Sequence, residues 1–191
     1  MEQQLKRKRS PFPYNVVLIG FMGVGKSTVS QYLSTMYAMD AVEMDQLIAQ
    51  QEGMSIPEIF RIHGEEYFRD LETGLLIRLQ GRTNVVISCG GGTPLRERNV
   101  AEMKKNGRVV LLTARPETIL ERVMDDHDRP LLENRKSVED IELLMSQRRE
   151  KYQAAADITV WTDGRDASEI CEEIAERLRK LDEARPDPIP S

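Results

Sequence analysis

The chain has 191 residues, of which 40% are hydrophobic and 31% charged, which suits one α/β domain and leaves little room for a second. Its formal net charge of −5 argues against a nucleic-acid partner, because phosphate backbones are bound by strongly basic surfaces. The two cysteines, Cys89 and Cys171, lack the spacing of metal ligands, which argues against a zinc site. They are also too few for a disulfide framework, so a reducing, cytoplasmic location is expected.

The predicted elements alternate between short β-like runs and amphipathic helical windows, the pattern of a parallel sheet covered by helices on both faces. The first helix is expected to begin directly after the glycine-rich loop at residues 20–28. Ser55-Ile56-Pro57-Glu58 has the hydroxyl, proline and glutamate of a helix start, and a longer helix is predicted after Gly64. Two final helices are predicted over 137–155 and 166–181. The predicted strands are Val16–Gly20, Ala41–Met44, Asn84–Ser88, Arg108–Thr113 and Asp157–Trp161.

A single domain is predicted at residues 15–183, with a short segment outside it at each end of the chain. Residues 1–14 are basic and lead into too short an apolar run for a signal peptide, so a flexible leader is expected. Residues 184–191 are rich in proline and have little to bury, so a disordered tail is expected. No stretch is long enough to cross a bilayer, and no long apolar surface stripe requires a partner chain, so the sequence predicts a monomer without membrane contact.

The stretch GFMGVGKST at residues 20–28 follows the first predicted strand. Its Gly-x4-Gly-Lys-Ser spacing is that of a P-loop, in which glycines let main-chain amides face phosphate oxygens without a Cβ in the way. Lys26 is expected to bind the outer phosphates and the Ser27 hydroxyl to ligate Mg²⁺. A tight turn would explain a glycine but not this lysine and hydroxyl. A bare P-loop does not separate a switch, a motor and a small-molecule kinase. The residues expected to bind a nucleotide here are Gly23, Val24, Gly25, Lys26, Ser27 and Thr28.

Two carboxylates, Glu43 and Asp45, follow the second predicted strand. Residues two apart on an extended chain point the same way, so we expect both to face the ligand-binding edge of the sheet. One could hold the magnesium shell while the other accepts a proton from an attacking hydroxyl. The alternative is a solvated turn, which is common for an acidic pair at a strand end.

Glycines and arginines add candidates for a second pocket. Gly90-Gly91-Gly92 follows another apolar strand, and its amides could approach a polar substrate; the alternative is a crowded crossing of two backbones. Arg148 continues an apolar helical stripe, and a buried guanidinium needs an anion. Arg69 lies three residues before Glu72 and could pair with it while turning its remaining donors into the cleft. The alternative for each arginine is a long side chain lying along the domain edge.

The polar stretch at about 124–136 is long enough to form a mobile lid. Arg129, which begins the string RPLL, could reach the transferring phosphate when the lid closes and excludes water. The alternative is an ordinary surface turn before a helix.

In combination these motifs resemble shikimate kinase. Beyond the P-loop the likeness is carried by GMSIPEIFRIHGEEYFRDLE at 53–72, GGG at 90–92, RPLL at 129–132 and RREKY at 148–152, in order along most of the chain. The resemblance implies a P-loop nucleoside-monophosphate-kinase-like fold, with a five-stranded parallel sheet flanked by helices and a mobile lid. It also implies transfer of the γ-phosphate of ATP to the 3-hydroxyl of shikimate, giving shikimate 3-phosphate and ADP in chorismate and aromatic amino acid biosynthesis.

The resemblance further implies roles for single residues. Asp45 would hold the reacting hydroxyl and act as base, Arg129 would contact phosphate from the lid, and Arg122 would pack on adenine. With Lys26, Asp45 and Arg129 form the implied catalytic set. Glu43 stands where the family usually has the shorter aspartate, and it would reach a magnesium-bound water. The residues implied in shikimate binding are Asp45, Phe68, Arg69, Glu72, Gly91, Gly92, Pro130, Leu131 and Arg148.

Two other functions compete with this interpretation. A related kinase could act on another small polyol acid such as gluconate, or on a nucleotide; the arginines favour an acid. A regulatory domain could bind nucleotide without transfer, but such a domain should lack Asp45 or Arg129, and both are present.

Overall fold

The computed structural model describes residues 12–124 and 137–184. One sheet of five strands runs through the described part of the chain, in the order β2-β3-β1-β4-β5, and every neighbouring pair is parallel. The predicted fold class is therefore confirmed, and each predicted strand lies within one residue of its observed bounds. The strands are β1 (Asn15–Ile19), β2 (Asp40–Glu43), β3 (Val85–Ser88), β4 (Gly107–Thr113) and β5 (Ile158–Trp161).

The helices begin and end where local chemistry allows. Ser55 forms a complete capping box with Glu58, as its sequence predicts. Gly64 has φ 84° and ψ 169°, so it divides the third helix into two helical segments, and the helix predicted after Gly64 is the second of them. The helices are α1 (Lys26–Tyr37), α2 (Met44–Glu52), α3 (Ile56–Leu79), α4 (Glu97–Lys105), α5 (Pro116–Met124), α6 (Val138–Ala155) and α7 (Ala167–Ala184), with a 3-10 turn at Thr93–Leu95.

The register of the sheet brings the carboxyl ends of three strands together. Ser88, the last residue of β3, pairs with Leu18 of β1 on one side and with Glu43 of β2 on the other. All residues of β1 and β3 are buried, because helices cover both faces of the sheet. The loops after β1 and β3 and the junction of β2 with α2 therefore meet at one edge. They carry the P-loop, the three glycines and the acidic pair.

Buried residues begin before residue 15, the expected start of the domain. Phe12 and Tyr14, which the sequence analysis placed in a flexible leader, are buried, with their rings stacked at 5.5 Å. The Tyr14 hydroxyl donates to Asp182 Oδ2 at 2.6 Å, which ties this end of the chain to α7. The rest of the expected leader and the expected tail after Ala184 lie outside the described residues. None of the helices in 12–124 and 137–184 combines the length and hydropathy that a membrane span requires.

Candidate active site

The loop between β1 and α1 has the geometry of a phosphate cradle. Gly25 adopts φ 94° and is the N-cap of α1, and a Cβ at this position would meet nothing within 4 Å. The positive φ requires glycine there and turns the following amides toward open space at the helix N-terminus. The side chain of Val24 is buried, so only its main chain can face a ligand, whereas Thr28 is exposed in the first turn of α1.

Lys26 folds back over this loop. Its Nζ donates to the carbonyl oxygens of Gly20 at 2.9 Å and Phe21 at 3.0 Å. The carbonyls hold the ammonium group at the mouth of the cradle, so a positive charge is already positioned where an anion would bind at the amides.

Ser27 and Glu43 form a pair of oxygen donors beside the cradle. Ser27 Oγ donates to Glu43 Oε2 at 2.9 Å, while Glu43 Oε1 is buried without a hydrogen-bond partner. A buried carboxylate oxygen without a partner is costly, and a hydroxyl next to a carboxylate is a donor set that suits Mg²⁺. No group of three or more His, Cys, Asp or Glu side chains in the described ranges could hold a metal by itself. The pair thus fits Mg²⁺ that also takes ligands from a bound nucleotide.

Asp45 reaches the cleft by a different route from the one expected. Glu43 and Asp45 were expected to share one extended segment, but β2 ends at Glu43 and α2 begins at Met44, so this expectation was wrong. Asp45 is an exposed residue of the first turn of α2. Its carboxylate lies against the glycine loop, since a Cβ built on Gly90 would be 2.6 Å from Asp45 Oδ1. The two carboxylates thus serve different sides of the cleft.

Arg69 and Glu72 pair as their spacing on α3 predicts. Arg69 Nη1 donates to Glu72 Oε2 at 2.9 Å, and the Glu72 side chain is fully buried. Arg69 Nη2 and Nε bind Glu65 Oε1 at 2.8 and 3.2 Å. Burial by itself would lower the pKa of Arg69, but its bonds to these two carboxylates outweigh the burial and raise the pKa. Arg69 therefore stays charged, with donors on Nη1 and Nη2 left for a ligand.

The guanidinium of Arg69 also packs tightly against the glycine loop. A Cβ built on Gly92 would be 2.5 Å from both Cζ and Nη2 of Arg69, and nearer still to Nη1. These similar distances show that the flat face of the guanidinium covers Gly92. The rings of Phe60 and Phe68 lie 5.9 and 5.5 Å from Cζ, within cation–π range. Phe68 is itself buried against Phe60, so it supports Arg69 from the core.

Arg148 lies near the same loop from α6. A Cβ on Gly91 would be 3.6 Å from Arg148 Nη1 and 3.7 Å from the Tyr152 hydroxyl. Tyr152 donates to the carbonyl oxygen of Gly91 at 2.6 Å, and the Arg148 Cζ lies 5.6 Å from the ring centre of Phe21. Burial raises the pKa of Tyr152, so its hydroxyl remains a neutral donor. Two arginines from different helices thus face one glycine loop.

Arg122 lies on the other side of the cradle. Its Nη1 donates to the carbonyl oxygen of Gly23 at 3.2 Å and to Thr162 Oγ1 at 3.3 Å, and its Nη2 donates to Thr162 O at 3.4 Å. The side chain is exposed and connects the P-loop to the turn after β5. A flat cation next to the cradle offers a surface for a base.

Part of the expected site lies outside the described residues. Arg129, Pro130 and Leu131 belong to the segment 125–136, so their expected roles stay predictions. Cys89, which precedes the glycines, is buried, and its burial and then the nearby carboxylate of Glu72 raise the pKa of the thiol well above its ordinary value. The thiol is therefore protonated and no nucleophile.

Three side chains that support the arginines were not predicted from the sequence: Glu65, Tyr152 and Thr93. Glu65 lies four residues before Arg69, and Tyr152 four residues after Arg148, so helical spacing carries a signal for both. Thr93 directly follows the glycines, and nothing in its local sequence indicates that it bonds to Glu72.

The site has the features of a P-loop phosphotransferase for a small anionic acceptor. They are a P-loop between a strand and a helix, an oxygen pair that suits Mg²⁺, and two arginines that face the Gly90–Gly92 loop.

A family model described as shikimate kinase matches residues 22–179. The shikimate kinase of Persephonella marina is 42% identical over 166 residues, covering 86% of this chain and 99% of that protein. That of Thermus thermophilus is 42% identical over 171 residues, covering 89% and 92%. A solved shikimate kinase from Acinetobacter baumannii in complex with shikimate aligns with a TM-score of 0.82 at 31% identity, covering 91% of this chain and 95% of that one. This chain belongs to the shikimate kinase family.

Proposed function

We propose that this chain transfers the γ-phosphate of ATP to the 3-hydroxyl of shikimate, giving shikimate 3-phosphate and ADP in chorismate biosynthesis. The observation that carries the proposal is the convergence of Arg69, Arg148 and Asp45 on the Gly90–Gly92 loop, next to the P-loop. Shikimate is a small carboxylic acid with several hydroxyls, and two guanidinium groups with a carboxylate nearby match that pattern of charge.

The nucleotide half of the site would use the main chain first. The amides of residues 23–28 would bind phosphate oxygens at the N-terminus of α1, and Lys26 would neutralise the charge that builds up during transfer. Arg122 would pack on adenine, since its exposed guanidinium lies against the carbonyl oxygen of Gly23. Arg129 would contact the transferring phosphate from the lid.

The metal of this site would be Mg²⁺, held directly by the Ser27 hydroxyl and through a water by Glu43. The buried Oε1 of Glu43 supports this assignment, because none of the described residues donates a hydrogen bond to it. When bound, Mg²⁺ supplies positive charge to the phosphate oxygens. Glutamate is one methylene longer than the usual aspartate, so we expect a changed metal affinity with activity retained.

The acceptor half would hold shikimate by its two ends. Arg69 and Arg148 would bind the carboxylate, and the main chain of Gly91 and Gly92 would approach the ring hydroxyls. Asp45 would then accept the proton of the 3-hydroxyl as it attacks. Alignment and charge neutralisation carry most of the acceleration in phosphoryl transfer, so the base has a secondary part.

An acceptor screen tests the proposed function. ADP release is measured with ATP and Mg²⁺ in the presence of shikimate, gluconate or a nucleoside monophosphate, and without acceptor. We expect release that depends on shikimate alone. Turnover with gluconate or a nucleotide instead would assign a related kinase, and ATP binding without acceptor-dependent turnover would favour a regulatory domain.

We also infer a monomer in the cytoplasm. The sequence supports this inference with two isolated cysteines and no long apolar stripe that would need a partner chain. Gel filtration with light scattering measures the oligomeric state directly.

A further inference from the structure

Four buried polar side chains lie together next to Arg69. Glu72, Thr93 and Asn99 are each 0% exposed and Thr73 is 4% exposed. They come from α3, from the 3-10 turn after the glycines and from α4. Polar groups in such positions are costly unless each is hydrogen-bonded, so a fully bonded set holds its members in one arrangement.

Each carboxylate oxygen of Glu72 accepts a hydrogen bond from a different residue. Thr93 Oγ1 donates to Glu72 Oε1, and Arg69 Nη1 donates to Glu72 Oε2 at 2.9 Å. Each donor fixes one oxygen, so together they set the rotation of the carboxylate. Water cannot replace the Thr93 hydroxyl, because Glu72 is fully buried.

Asn99 holds Thr93 and α3 together. Its Nδ2 donates to the carbonyl oxygen of Thr93 at 2.9 Å, and its Oδ1 accepts from Thr73 Oγ1 at 2.6 Å. The opposite orientation of the amide would place its oxygen against the Thr93 carbonyl, two acceptors facing each other, so the chemistry of the partners fixes the orientation. Asn99 thus connects Thr93, which binds Glu72, to Thr73, which follows Glu72 on α3.

We propose that Thr93 and Asn99 are positioning residues for the acceptor pocket, acting through Glu72 on the orientation of Arg69. The inference rests on the proposed function, in which Arg69 binds the carboxylate of shikimate. Without the Thr93 hydroxyl, Glu72 can rotate and Arg69 loses its fixed partner. The other partner, Glu65, is 65% exposed, so solvent screens it and it cannot fix the guanidinium alone.

The effect should be confined to the acceptor. Within residues 12–124 and 137–184, the hydrogen bonds of Thr93 and Asn99 do not involve the P-loop, Arg122 or the Ser27–Glu43 pair. Loss of the positioning contacts should therefore weaken shikimate binding while ATP binding stays as it is. A purely structural role would change the two Michaelis constants together.

The test compares Thr93→Val with Thr93→Ser in the full chain. Valine has the shape of threonine without the hydroxyl, whereas serine keeps the hydroxyl without the methyl. With Thr93→Val we expect the KM for shikimate to rise about tenfold, since a bond to a charged group is lost, while the KM for ATP stays within about twofold. Thr93→Ser should restore a KM for shikimate close to that of the wild type.

A second pair of variants separates positioning from folding. Asn99→Ala and Asn15→Ala each remove a buried amide that is hydrogen-bonded on both sides. Asn15 lies at the opposite end of the sheet, where it binds the carbonyl oxygen of Arg82 and the amide of Val85. Both variants should lower the melting temperature, but only Asn99→Ala should raise the KM for shikimate.

The results distinguish failure of the proposed function from failure of the inference about Thr93 and Asn99. A wild-type enzyme that does not phosphorylate shikimate would overturn the proposed function and this inference with it. A functional wild type with an unchanged KM for shikimate in folded Thr93→Val, or with equal rises for shikimate and ATP, would overturn the inference alone.

Discussion

The close contact between Gly92 and Arg69 allows a sharp test of the acceptor pocket. In Gly92→Ala the new Cβ would lie 2.5 Å from Cζ and Nη2 of Arg69. Comfortable separation of such atoms is about 3.5 Å, so the guanidinium must withdraw by about 1 Å. A flexible side chain can move that far at little cost in folding stability. A misplacement of about 1 Å in a binding group can nevertheless cost about 100-fold, so we expect the KM for shikimate to rise about 10- to 100-fold.

The assay for Gly92→Ala is ADP release at saturating ATP with shikimate varied, together with thermal unfolding. Gly74→Ala is the control, because Gly74 lies on α3, the helix that carries Arg69, and its new Cβ would meet only Arg78 Nη1, at 3.5 Å. This control should keep wild-type kinetics and gain about 1 kcal/mol in stability, since alanine is favoured over glycine in a helix interior. A folded Gly92→Ala enzyme with the wild-type KM for shikimate would refute the assignment of Arg69 to the acceptor.

Three further predictions follow from the charges at the site. Lys26→Ala should lower turnover about 100- to 1,000-fold at saturating substrates, because a positioned charge is lost from the phosphates; single-turnover quench kinetics measure this step. Arg148→Ala should raise the KM for shikimate far more than that for ATP, whereas Arg149→Ala, on the exposed side of α6, should change neither. Burial raises the pKa of Glu72 above its ordinary 4.5, so its contribution to stability is complete below pH 4.5 and falls as the pH rises through the higher folded-state value. Glu72→Gln should therefore gain in unfolding free energy relative to the wild type from pH 4.5 to neutral pH, and a constant difference in denaturant titrations would contradict this.

The strands and the site edge were predictable because their signals are local. β1 and β3 are short and largely apolar, as buried strands of a parallel sheet are, and each is followed by glycines, while the acidic pair stands at the end of β2. The parallel arrangement then places the ends of β1, β2 and β3 at one edge, whatever the details of their loops. The pairing of Arg69 with Glu72 was also predictable, since residues three apart on a helix are neighbours.

The features that were not predicted depend on contacts between distant segments. The helix that begins at Met44 was mistaken for continued strand, because no residue separates the two elements: Glu43 is both the last residue of β2 and the N-cap of α2. The bond from Thr93 to Glu72 joins residues 21 apart, and that from Thr73 to Asn99 joins residues 26 apart. No periodicity records such pairs, since they form only when α3, the 3-10 turn and α4 have packed together.

The environments of Asp45 and Glu72 explain why two carboxylates near one glycine would have different roles. A Cβ on Gly90 would be 2.6 Å from Asp45 Oδ1 and 3.2 Å from Glu72 Oε1, so both carboxylates face the same point of the loop. Glu72 is fully buried with both oxygens bonded within the protein, so it is not accessible to a substrate hydroxyl from solvent. Asp45 is exposed in the first turn of α2, so a substrate hydroxyl that enters from solvent can reach it. This difference in burial, rather than proximity to the glycines, is the reason to assign proton acceptance to Asp45 and the orientation of Arg69 to Glu72.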